Sequence, residues 1–75
     1  MEPYRDWDRD SGVKGFEICE GQIDVQFKTG SVYRYTSSSV GSANLERMVA
    51  LARAGEGLNS FINRVVKNRY SAKLQ

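Results

Sequence analysis

Seventy-five residues and 8.5 kDa make one small domain, with about 4,700 Å² of folded surface expected from size scaling and room for only a thin core. There is no His, which removes the commonest general base and metal ligand, and the single Cys19 allows neither an intrachain disulfide nor a Cys-rich zinc site. The net charge of +2 is divided unevenly: residues 1–46 carry −3, whereas residues 47–75 carry +5 with Glu56 their sole acid, a polarity that bears on partners.

Residues 1–12 alternate charge and aromatic side chains without helix or strand periodicity and read as an N-terminal arm, which Tyr4 and Trp7 are placed to pin. From Val13 the pattern has period two. Phe16 and Ile18 share one face, Glu20-Gly21 marks a turn, and Ile23, Val25 and Phe27 alternate with Asp24, Gln26 and Lys28, the signature of half-buried strands. After the turn at Lys28-Thr29-Gly30-Ser31 comes a third strand, Val32 to Thr36, rich in aromatic and β-branched residues. Links this short imply an antiparallel meander.

Residues 37–42 read as a serine-rich loop, after which Ser42 or Asn44 can cap a helix. Leu45, Met48, Val49 and Ala52 follow at helical spacing as one apolar stripe, and Gly55 closes the element. Asn59 or Ser60 opens a second helix, with Phe61, Ile62, Val65 and Val66 as its buried stripe and Lys67, Arg69 and Lys73 towards its C-terminal end. The expectation is an α+β fold, β-β-β-α-α: a three-stranded antiparallel β-meander followed by two α-helices packed on one face, with residues 1–12 as the arm and 13–75 as the domain.

Three further sets of residues resemble a known family: Ile23-x-Val25-x-Phe27-x-x-Gly30-x-x-Tyr33-x-Tyr35, then Ala54-x-x-Gly57-x-x-x-Phe61-Ile62-Asn63, then Tyr70, with Val13 to Glu17 as an opening strand. Residues 11–70 resemble the KTSC domain, a small module found at the C-terminus of some lysyl-tRNA synthetases and alone in bacterial and phage proteins. The sequence departs from the family after Tyr35, where a Pro-containing link gives way to serines. The resemblance implies the fold above. The family's function is unknown, and its association with a tRNA ligase points to RNA.

Asp6, Asp8, Asp10 and Glu17 fall at positions one, three, five and twelve of a calcium-binding loop. Ser11 stands where that loop needs Gly, no helix can precede it, and residues 13–17 are wanted for the first strand, so a solvated charged arm is the preferred reading. Lys14-Gly15-Phe16 echoes an RNA-recognition motif that Glu17 and Ile18 then break.

Tyr33 and Tyr35 point the same way from their strand. They either stack bases or pack under the helices; packing is preferred, because the other face would offer Val32, Arg34 and Thr36 to the core. Arg34 then faces Asp24 and Lys28 on the open side, where an ion pair is the plain outcome. Arg64, Lys67 and Lys73, with Arg47 and Arg53, offer a phosphate-binding surface or else a solvated helix face. Arg69 falls inside the apolar stripe, so the helix has frayed there, or the side chain snorkels, or it pairs with an acid.

These residues lead to a non-catalytic binding module with no cofactor or metal. Its expected partner is RNA or another nucleic acid, contacted by Arg64, Lys67, Arg69, Lys73, Arg34, Tyr33 and Tyr35. The alternative is a protein-interaction module, an adaptor or phage-type inhibitor, using a strand edge and the acidic arm. A lone thiol fits a reducing compartment, and no apolar run approaches the ~18 residues of a membrane span, so a cytoplasmic protein without a membrane partner is expected.

Overall fold

The computed structural model describes residues 1–7 and 12–75. The alternating stretches pair as the sequence dictates. β2 (Val13–Cys19) joins β3 (Gln22–Phe27), and β3 joins β4 (Val32–Thr36), all antiparallel. The register opposes Phe16 to Val25, Ile23 to Tyr35 and Val25 to Tyr33, which gathers the apolar side chains on one face. A register shift between Val13 and Gly15 bulges β2 near its start.

The sheet has five strands, not three. β1 (Glu2–Pro3) flanks β2, and β5 (Ala72–Lys73) flanks β4, giving the order β1-β2-β3-β4-β5. Two residues cannot display a period, so neither edge strand announces itself in the pattern. What reads as an arm therefore begins as an edge strand.

The serine run forms α1 (Ser37–Val40) rather than a loop. The Thr36 hydroxyl accepts from the Ser39 N–H at 3.1 Å, and the Thr36 N–H donates to the Ser39 hydroxyl at 2.9 Å, a reciprocal cap. α2 (Ser42–Ala54) follows Gly41, which has no side chain to cap it; Asn44 instead donates to the Val40 carbonyl at 2.9 Å. α2 buries Leu45, Met48 and Ala52 and ends where Gly55 turns left-handed.

α3 (Leu58–Phe61) starts one residue before Asn59 and two before Ser60, the signals read in the sequence, directly after a left-handed Gly57. It then widens into π-helical turns over Ile62–Val66. The wider turn aligns Leu58, Ile62 and Val66 inward and leaves Val65 exposed, so the buried stripe differs from the one read at regular helical spacing.

The core joins Val13, Phe16, Ile23, Val25 and Tyr35 of the sheet to Val40, Leu45, Met48, Ala52, Leu58, Ile62 and Val66 of the helical layer. Tyr4 belongs to it as well, and its hydroxyl accepts from the Leu58 N–H at 3.2 Å. Asp6 takes a left-handed conformation, a region Asp tolerates better than most residues. Its carboxylate pairs with the Lys28 ammonium at 3.0 Å, and the next N–H, of Trp7, donates to the Gly55 carbonyl at 2.9 Å. The surface of the described molecule is 4625 Å², close to the size-scaling expectation.

Candidate nucleic-acid interface

The two roles open to Tyr33 and Tyr35 divide between them. Tyr35, 1% exposed, lies in the core and offers no face to a base. Burial pushes its hydroxyl up to about 12, with the neighbouring Tyr33 and Tyr70 adding to the shift. Tyr33 is half-buried at the margin of the core. Phe27 meets it edge-on at 5.7 Å between ring centres.

Arg34 is committed elsewhere. Its guanidinium donates to both carboxylate oxygens of the buried Asp24, at 2.8 and 3.1 Å, across the β3–β4 ladder. The hydrogen bonds and charge of Asp24 raise the Arg34 pKa above its ordinary value. This is the plain outcome expected for the open sheet face, although Lys28 takes Asp6 and not Asp24.

Arg64, Lys67, Arg69 and Lys73 are all exposed, but they do not share a helix face. Arg64 lies in the π-helical turns, which stop at Lys67, a residue of positive φ. The Arg69 N–H returns to the Val66 carbonyl and the Ser71 N–H donates to the Arg34 carbonyl, carrying the chain from helix to sheet edge. Lys73 sits on β5 opposite Tyr33, with its ammonium 5.8 Å from the centre of that ring. Of the three readings open for Arg69, the ended helix is the one observed. The cations thus occupy one continuous stretch of chain that crosses from the helical layer to the sheet.

Sequence reading left one member out of the site. Tyr70, 37% exposed, lies in that stretch with its ring 4.6 Å from Tyr33 at 50° and 6.4 Å from Tyr35 at 88°. An aromatic residue next to Arg69 and three residues before Lys73 was the available signal, since basic and aromatic residues interleave at nucleic-acid sites.

Of the four acids at calcium-loop spacing, Asp6 and Glu17 are among the described residues, and each has a cationic partner. Glu17 is on β2, 3.9 Å from the N-terminal amine, Asp6 holds Lys28, and Asp8 and Asp10 lie outside the described residues. Among the described residues, no cluster of three or more His, Cys, Asp or Glu is arranged to hold a metal ion, and no helix is long and apolar enough to cross a membrane.

A groove of about 350 Å³ lies between the β2–β3 turn and α2, lined by Cys19 and Gln22 and by Leu45, Val49, Ala50 and Arg53 among others. It shares no residue with the basic stretch.

The arrangement is that of a small α+β domain whose chain end carries exposed cations around a partly exposed aromatic pair. Comparison of the chain with protein-family models, with curated proteins and with solved structures finds no match.

Proposed function

We propose that this chain is a KTSC-like, non-catalytic module that binds nucleic acid, RNA foremost, through residues 64–73. One observation carries the reading. Arg64, Lys67, Arg69 and Lys73 are exposed and stand outside the ion pairs found among the described residues, which are Lys28–Asp6, Arg34–Asp24 and the N-terminal amine with Glu17. Cations without carboxylate partners are available to phosphates and release condensed counterions on binding. Arg34 and Tyr35 drop out of the proposed contact set because each is already occupied.

A salt titration of binding to a labelled RNA oligomer tests this. The logarithm of affinity should fall linearly with the logarithm of salt, by about 0.7–0.9 per phosphate neutralised, and Lys67→Ala and Arg69→Ala should each lower that slope by about one phosphate. Affinity that does not change with salt would sink the proposal.

The protein-interaction alternative has less to stand on. β1 and β5 already pair with part of the outer strands it would use, at Gly15–Phe16 and Tyr33–Arg34. A protein partner that survives nuclease treatment, together with no salt-dependent binding of RNA, would decide for it.

A further inference from the structure

We infer that Tyr70 is the seat of an unpaired base, so that the nucleic acid this module takes is single-stranded. The inference rests on the nucleic-acid reading above and specifies its ligand.

Among the described residues the rings that meet Tyr70, those of Tyr33 and Tyr35, both belong to β4 and approach it from the sheet. Tyr70 is 37% exposed, so part of the residue stays open to water beside those two rings. Tyr33 is itself held by Phe27 on one side and by the Lys73 ammonium over its ring. Tyr70 therefore rests on a braced aromatic base, and little side-chain freedom remains to be lost when a ligand arrives. Arg69 adjoins it in the chain and Lys67 lies three residues before it, so the phosphates of a strand with a base seated there have cations close by in the chain.

A base inside a duplex has both faces covered by its neighbours and cannot stack on a side chain without leaving the helix. A duplex would meet this surface through phosphates alone. A single strand gains both the phosphate contacts and one aromatic contact, and stacking on an aromatic ring tolerates any base.

The experiment uses a short fluorescently labelled RNA of mixed sequence, free and annealed to its complement, with the full chain. The single strand should bind about tenfold tighter than the duplex, equivalent to about 1.4 kcal/mol. Tyr70→Ala should remove that advantage and leave duplex affinity unchanged. Tyr70→Leu retains apolar contact with Tyr33 and should behave as Tyr70→Ala, whereas Tyr70→Phe and Tyr70→Trp should bind as the parent does. Circular dichroism of each variant separates a lost ring from a lost fold.

Equal affinity for the two forms, or a Tyr70→Leu variant that is folded and still prefers the single strand, overturns this inference and leaves the charge-based reading standing. Salt-independent binding, or no binding of either form, overturns that reading and this one with it.

Discussion

Tyr35 shows how burial turns one hydroxyl into a pH-dependent contribution to stability. In the folded chain its pKa is pushed up to about 12 from the ordinary 10.0, so the fold holds the proton more tightly than the unfolded chain does. Below pH 10 both states keep the proton and the full stability is present. Between pH 10 and 12 the unfolded chain releases it first, so stability falls as pH rises. At about 1.4 kcal/mol per unit of pKa difference, the loss across that window is about 2–3 kcal/mol, after which it levels off. Urea midpoints from pH 9 to 12 should therefore fall less steeply for Tyr35→Phe than for the parent, since the two chains differ in that one hydroxyl. Parallel curves would show that the Tyr35 hydroxyl titrates alike in both states. The sequence discloses this residue well, because its place in an alternating strand opposite Ile23 leaves the core as its natural surroundings. It discloses Tyr33 less well. The same parity places Tyr33 on the same face, but depth at the margin of a sheet depends on what lies beside it, and besides Phe27 its neighbours there are Tyr70 and Lys73, some forty residues on.

The elements legible in the sequence are the ones long enough to show a period. β2, β3 and β4 have five to seven residues each and α2 has thirteen, and all four follow their apolar spacing. Short elements rest on specific hydrogen bonds that composition does not reveal. Ser37 to Val40 reads as loop because Ser and Thr compete for backbone groups in turns, yet Thr36 and Ser39 direct that same tendency into a cap, with Ser39 in the place a Glu or Gln usually takes. Thr36→Ala should cost about 1 kcal/mol of stability, the ordinary value of a lost N-cap. Denaturant midpoints would show this. A change of only a few tenths would mean that the buried Val40 alone holds the turn in place. The π-helical turns of Ile62–Val66 defeat a spacing argument for a related reason. Regular periodicity counts Val65 as buried, and the wider turn exchanges it for an inward line through Leu58.

At the scale of the whole molecule, the α+β class follows from the order of the periodic runs, but closure of the fold depends on its two ends. The C-terminal residues return to β4, where the Leu74 N–H donates to the Val32 carbonyl and Val32 donates to Gln75, and this return carries the basic stretch onto the sheet edge. The N-terminal residues cross to the helical layer, and the link is Tyr4, fifty-four positions from the Leu58 N–H that its hydroxyl accepts. Neither closure leaves a local signature, because each pairs a short end segment with an element distant in sequence. Their energetic importance follows from size. A 75-residue chain has a total stability of only about 4–11 kcal/mol at the usual value per residue. Truncating a large buried aromatic costs about 3–5 kcal/mol, so Tyr4→Ala should leave the domain barely folded at room temperature. Tyr4→Phe keeps the ring and deprives the buried Leu58 N–H of its acceptor, which should cost about 1–3 kcal/mol. Urea unfolding of the three chains should therefore rank parent, Tyr4→Phe and Tyr4→Ala in falling order of midpoint. If Tyr4→Ala unfolds with the parent, the first seven residues contribute nothing to the fold, and the domain is the three-stranded body that its alternating segments describe.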